Sequence, residues 1–178
     1  IVAGPGSGKT RVMAHRLGYL VAEKGVPPHR ILAVTFTNKA ARELRERCET
    51  LIPQTSTELR VFTFHGFCSS ILRSDGQGLG LSPDFTIYDS DDQTRLVRRV
   101  LKDMDIDPTD FKPKSLLSAI SLSKNKNISP DTFMKQADTY REEVAGRVFK
   151  NYEENLEKAN AVDFDDLLLK VCHLMEKN

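Results

Sequence analysis

Apolar positions along the chain change period several times, and each change predicts an element. Ile1, Val2 and Ala3 run straight into a glycine-rich stretch, after which Val12, Met13, Leu17, Leu20 and Val21 recur at helical spacing. Beyond the breaker Gly25-Val26-Pro27-Pro28, the run Ile31-Leu32-Ala33-Val34-Thr35-Phe36 predicts a strand buried on both faces. A helix is predicted from Asn38, its N-cap, to about Leu51, followed by a short strand over 60–64 and a third helix over about 65–73. Alternation of strand and helix predicts a parallel sheet with right-handed crossovers.

The texture changes after the breaker-rich segment Asp75-Gly76-Gln77-Gly78-Leu79-Gly80-Leu81-Ser82-Pro83, a candidate boundary. Nearly everything beyond it reads as helical. Ser90 with Gln93 predicts a capping box ahead of Leu96, Val97, Val100 and Leu101. Leu116, Leu117, Ile120 and Leu122 form a second apolar stripe after Pro113, and Ser129-Pro130 marks a further helix start. A long amphipathic helix is predicted over 139–158, through Val144, Val148, Tyr152 and Leu156. A last one opens at Asp163-Phe164-Asp165-Asp166 and carries Leu167, Leu168, Val171 and Leu174. The pattern predicts an α/β nucleotide-binding start, residues 1–74, then an all-helical module over 75–160 and a closing helix over 161–178.

Composition adds exclusions. With 178 residues, 39% hydrophobic and ten glycines, the chain has the make-up of a globular protein and not of a disordered or collagen-like one. No stretch approaches the ~20 apolar residues that span a bilayer. Three well-separated cysteines, Cys48, Cys68 and Cys172, form no C-x-x-C pair, which argues against a disulfide framework or cysteine zinc site and for a reducing intracellular compartment. The net charge of +1 conceals an asymmetry. Residues 1–74 carry 11 Lys/Arg and 5 Asp/Glu, a balance of +6; residues 75–178 carry 15 and 20, a balance of −5. Two regions with different partners are expected from that split, or else two sets of solvated helix faces.

The chemistry starts at Ala3-Gly4-Pro5-Gly6-Ser7-Gly8-Lys9-Thr10. Strand, glycine-rich loop and helix in that order make a phosphate-binding loop. Glycines let backbone N–H groups approach phosphate oxygens, and the following helix points its positive end at the same anion. Lys9 is expected on the β- and γ-phosphates of a nucleoside triphosphate and the Thr10 hydroxyl on Mg²⁺, a catalytic pair. Ala3 stands where the strict pattern has Gly; the relaxed form accepts it. Ile1–Ala3 is shorter than an ordinary strand, so the chain is expected to be a piece of a longer protein.

Two further blocks lie where strands meet helices. Thr35-Phe36-Thr37-Asn38-Lys39-Ala40-Ala41 offers a ring, hydroxyls, an amide and a cation at the ligand-binding edge of an open sheet. Such parts grip single-stranded nucleic acid, a ring for a base and donors for phosphates; an ordinary capped strand end is the alternative. Thr63-Phe64-His65-Gly66-Phe67 repeats the arrangement, with His65 open to either a phosphate contact or a buried structural role. Cys68 has no base spaced to activate it. Asp163, Asp165 and Asp166 could be read as a divalent-metal cluster, but acids in a first helical turn are what capping and the helix dipole favour.

Together, residues 3–10, 35–41, 63–66 and Val162-Asp163-Phe164-Asp165-Asp166-Leu167-Leu168 resemble the UvrD/PcrA/Rep family of superfamily 1 helicases, in order and approximate spacing over essentially the whole chain. The resemblance implies an α/β fold: part of a RecA-like P-loop NTPase motor domain carrying an inserted all-helical subdomain. It implies ATP and Mg²⁺ as cofactors, held by residues 3–10 with Arg11 near the nucleotide. It further implies that Phe36 stacks on a base, and that Thr35, Thr37, Asn38, Lys39, Thr63, Phe64, His65 and Gly66 belong to the track of single-stranded DNA. The partners implied are that strand and the duplex at a fork, with no membrane. The compartment implied is the cytoplasm and nucleoid of a bacterium, or the nucleus or an organelle of a eukaryote. The family's adenine-recognising glutamine motif, Walker B carboxylates, arginine fingers and second motor domain are expected outside these residues, so the chain alone is expected to be inactive. The alternatives are the motor part of an AddA/RecB-type helicase–nuclease, a small P-loop kinase, and a single-stranded nucleic-acid-binding module with a vestigial phosphate loop.

Overall fold

A computed structural model describes residues 8–53 and 56–177. The chain is α/β, mostly helical with small parallel sheets, and divides into two compact units, residues 1–67 and 68–178. The phosphate-loop positions Ala3 to Ser7 lie outside the described residues.

In the first unit, α1 (Lys9–Ala22) is followed by β1 (Leu32–Thr35), α2 (Asn38–Leu51) and β2 (Arg60–Thr63). β1 and β2 pair in parallel, and their register sets Thr35 beside Thr63 at the carboxyl ends. The core lies between one sheet face and the helices: Ala33 and Val61 from the strands, Ala14 and Leu17 from α1, Ala41, Leu44 and Cys48 from α2. Burying a Leu such as Leu44 contributes about 1.5–3 kcal/mol. The run 31–36 is not buried on both faces as its composition suggests. Strand residues alternate sides, so Ala33 and Thr35 face the core, while on the other face Val34 is half-buried and Leu32 stays exposed among the described residues. Val12 is likewise exposed, because the buried stripe of α1 runs through Ala14 and Leu17.

The division falls within α3 (Phe64–Asp75). The second unit then holds β3 (Thr86–Ile87), α4 (Ser90–Asp103), α5 (Pro113–Asn125), α6 (Pro130–Lys135), α7 (Tyr140–Lys158), β4 (Ala161–Val162) and α8 (Phe164–Lys177). α4, α5 and α7 enclose one core, built on Val97, Leu101, Ile120, Val144, Val148, Tyr152 and Leu156. Cys68 and Leu72 of α3 pack with Phe85, Val162, Leu167 and Val171 in another. β3 and β4 pair in parallel although α4 to α7 lie between them in sequence, so that helical excursion leaves and returns at neighbouring points.

Helix starts follow side-chain chemistry closely, in two cases one residue earlier than expected. Asp89, not Ser90, caps α4: its carboxylate accepts from the N–H groups of Asp91 and Asp92, and Asp92 accepts in return from Asp89 N. A carboxylate at the positive end of a helix is favoured over a hydroxyl by its charge. Gln93 instead donates to Tyr88 O. Ser129 and Thr139 cap α6 and α7 as the pattern predicts, Thr139 in a capping box with Glu142. Leu122 is exposed, since the buried face of α5 continues through Leu116, Ile120, Ser123 and Lys124.

Candidate nucleotide and nucleic-acid interface

Gly8 stands immediately before α1 with φ +82°, a left-handed conformation that costs glycine nothing. Having no side chain, it leaves the start of α1 without a side-chain cap, and no acidic residue lies in the first turn. The first N–H groups of a helix have no partner within it, so this end attracts an anion. Lys9 and the half-buried Thr10 sit in the same turn. Arg11 lines a cleft of about 360 Å³ between α1 and α2 with His15, Arg47 and Thr50.

The second site is a corner built by two strand ends. Parallel pairing carries β1 and β2 to the same edge, where each chain turns directly into a helix. The corners are closed alike. Thr37, and not Asn38, is the N-cap of α2: its backbone is still extended, and its Oγ1 accepts from Ala40 N at 3.1 Å. Asn38 is the first helical residue. Thr63 Oγ1 accepts from Gly66 N at 3.1 Å at the start of α3. A Cβ on Gly66 would stand 3.0 Å from that oxygen, so glycine permits the cap.

These turns push two rings outward. Phe36 is 89% exposed and Phe64 39%, with ring centroids 5.4 Å apart and planes at 49°. An aromatic ring so exposed on a two-turn corner gains no burial from its own chain. Beside the rings, Asn38, Lys39, Arg42, Arg45, Thr63 and Gly66 line a cleft of about 430 Å³. Arg45 also donates to the main-chain oxygen of Val61, fixing α2 to β2. Thr35 differs from its neighbours: it is buried, and its hydroxyl donates to Thr37 O at 3.1 Å, so it holds the corner from inside. His65 is half-buried at the start of α3. Arg42 and Arg45 were absent from the expected site, although their spacing with Lys39 places all three along adjacent helix turns.

Cys68 and Cys48 are both buried, and burial pushes both thiols up, which keeps them protonated and unsuited to attack.

The acidic block before α8 has a different setting. Asp163 and Asp166 cap the helix reciprocally, each accepting from the other's N–H at 2.9 and 3.1 Å. Both also bind the ammonium of Lys124, whose side chain is only 1% exposed: Nζ donates to Asp163 Oδ2 at 2.7 Å and Asp166 Oδ1 at 2.8 Å. Tyr152 Oη donates to Asp163 Oδ2 at 3.0 Å, and Glu153 Oε1 lies 2.7 Å from the same ammonium. Burial alone would drive Lys124 to lose its proton; Asp166, Glu153 and Asp163 more than reverse this and raise it above the ordinary lysine range. Lys124 was not anticipated, yet its place two turns after Leu116 and one after Ile120 put it on the buried stripe.

Among the described residues, no helix is long and apolar enough to cross a membrane. A family model described as the UvrD/REP helicase N-terminal domain matches residues 1–178. The chain is 42% identical over 177 residues to the ATP-dependent DNA helicase PcrA of Bacillus subtilis, and equally to proteins of that name from Staphylococcus epidermidis and Staphylococcus aureus. Each match covers 99% of this chain and 24% of the relative, so the chain spans about a quarter of the length of the curated relatives it matches. By its sequence over its whole length, the chain belongs to the UvrD/REP helicase family, in the N-terminal domain of that family.

Proposed function

We propose that this chain is the N-terminal part of an ATP-dependent DNA helicase that moves 3′-to-5′ along single-stranded DNA and unwinds the duplex ahead of it. The observation that carries the reading is the strand-end corner: Phe36 and Phe64 exposed side by side, with Thr37, Asn38, Lys39, Arg42 and Thr63 around them. Stacking of a base on an aromatic ring contributes about 1–3 kcal/mol and works for every base, as a motor stepping along any sequence requires. Both threonine oxygens accept from a helix N–H, which leaves each hydroxyl proton to donate to a phosphate. The names of the PcrA relatives support the same activity.

The nucleotide end fits ATP with Mg²⁺: an uncapped helix start free of acidic residues, led by Gly8 and carrying Lys9, Thr10 and Arg11. Lys9 would hold the terminal phosphates, the Thr10 hydroxyl the Mg²⁺, and Ala3 to Gly8 the loop around them. ATP hydrolysis supplies the free energy for movement. Residues 1–74 serve in this reading as part of the first motor domain, and 75–160 as a helical subdomain inserted in it. Residues 161–178 lead back toward the motor. The parallel pairing of β3 with β4, on either side of α4 to α7, supports an insertion.

The test is Lys9→Ala in the full-length protein. Strand-stimulated ATPase should collapse while binding of a single-stranded oligonucleotide survives; unchanged ATPase refutes the assignment of Lys9. The 178 residues alone should show negligible ATPase in the same assay.

A further inference from the structure

The block Asp163-Phe164-Asp165-Asp166 has no part in the nucleotide or strand sites, yet its charges are among the most deeply buried in the molecule. Three carboxylates, those of Glu153 on α7 and of Asp163 and Asp166 at the start of α8, converge on one ammonium from α5. An oxygen of each lies within 4.8 Å of the others. Asp163 and Asp166 are almost wholly out of water and Glu153 reaches it with 31% of its side chain. One positive charge does not balance three negative ones packed this closely, and such a group relieves the excess by keeping a proton.

The donor count says where the proton goes. Asp163 accepts from Lys124 Nζ, Tyr152 Oη and Asp166 N; Asp166 accepts from Lys124 Nζ and Asp163 N. Glu153 meets the Lys124 ammonium at 2.7 Å through its buried Oε1, and among the described residues no other donor reaches that oxygen. Of the three carboxylates, it has the fewest donors.

We propose that Lys124 with Glu153, Asp163 and Asp166 forms a proton-dependent latch, which clamps the first turn of α8 against α5 and α7 while Glu153 holds a proton and loosens when it leaves. The groups that face Glu153 are Lys124 from α5, Asp163 and Asp166 at the start of α8, and Tyr152 beside it on α7; Lys170 acts on Asp166 from the next turn. Burial, reinforced by Asp166 and opposed by Lys124, pushes Glu153 up to about 7. Burial raises Asp166 as well, against the pull of Lys124. The seam continues past the latch: Asn125 Nδ2 donates to Asp165 Oδ1 at 3.2 Å, and Asn127 Oδ1 lies 3.0 Å from His173 Nε2.

The sign follows from linkage. A carboxyl whose folded value is raised to about 7 from 4.5 binds its proton more tightly in the folded chain. Its stabilisation is therefore full below about 4.5 and lost as pH rises through about 7. Asp92, Asp107 and Glu142, lowered by hydrogen bonds, act below this window.

The experiment compares the 178-residue chain with its Glu153→Gln variant, which mimics the protonated carboxyl at every pH. Thermal unfolding is followed from pH 5 to 8. Wild type should lose several degrees across that range, and the variant should melt above wild type at pH 8 with a much flatter profile. Amide exchange at Asp166 and Leu167, corrected for intrinsic rates, should lose protection in wild type above pH 7 and keep it in the variant. Equal slopes in both proteins, or a variant less stable than wild type at pH 8, overturns the latch. Infrared titration of wild type provides a separate reading: a carboxylic-acid carbonyl band should persist at pH 6, and its absence there equally overturns it.

Discussion

Two places in the molecule invert the usual arrangement of apolar and charged side chains, in opposite directions. At the strand-end corner, Phe36 and Phe64 lie outside. At the start of α8, Lys124, Asp163 and Asp166 lie inside. In the sequence both are short blocks of hydroxyl, acid or amide groups around a phenylalanine, and both open a helix. What separates them is how completely the polar atoms are engaged by the chain itself. Both oxygens of Asp163 and both of Asp166 have internal donors. At the corner, the threonine oxygens accept one bond each and the two rings stand 5.4 Å apart with exposed faces. Consumed capacity marks a structural site, and residual capacity beside exposed rings is what the proposed strand site requires.

The largest expected effect strikes the buried member of this pair. Lys124→Met keeps the stem's volume and removes the charge, leaving three carboxylates facing one another. Breaking a buried ion pair by deleting one partner costs about 3–5 kcal/mol. Chemical denaturation at pH 7 should show that loss, with stability partly recovered at pH 5 as the carboxylates take up protons. A loss below about 1 kcal/mol would mean that the cluster is wetter than its burial indicates. Single-stranded DNA binding by the full-length folded variant should be nearly unchanged.

Phe36→Ala should do the reverse. The ring is 89% exposed, so its removal should alter stability by less than about 0.5 kcal/mol. Loss of a stacking platform should weaken oligonucleotide binding by about 1–3 kcal/mol, roughly a 5- to 150-fold rise in Kd by anisotropy titration of the full-length protein. A variant that binds as well as wild type would leave the corner an ordinary pair of capped helices.

This contrast explains which parts of the structure were legible in the sequence. Periodicity located the strands at 32–35 and 60–63 and the helices from Pro113, Pro130 and Tyr140, because local rules govern them: alternation, a proline in the first turn, a capping box. It mistook Ser90 for Asp89 and Asn38 for Thr37, because neighbouring residues compete for one cap and the backbone decides between them. Lys124 stayed hidden for a different reason. A lysine at the end of an apolar stripe usually reaches for water. Only the partners brought to it from 29 to 42 residues further along make burial tolerable, and no local pattern announces them. The corner was legible as chemistry, but the inward turn of Thr35 and the cleft of Arg42 and Arg45 depend on register between two strands.

The smallest stability change is expected where the two kinds of role meet in a single hydroxyl. Thr37 Oγ1 accepts from Ala40 N as the cap of α2, and its proton remains available to a phosphate. Aspartate is at least as good an N-cap as threonine, and its charge suits the positive end of the helix. Thr37→Asp should therefore leave stability within a few tenths of a kcal/mol of wild type, or raise it slightly. The same change removes a donor and sets a negative charge where the strand's phosphates would pass, so oligonucleotide binding should fall by about tenfold, most steeply at low salt. Thr37→Ser, which keeps both cap and donor, should preserve both properties. If the aspartate variant lost stability and binding together, Thr37 would be a cap alone and the strand would run elsewhere. If it kept both, the hydroxyl would have no part in recognition, and the difference between the two regions would rest on the rings of Phe36 and Phe64.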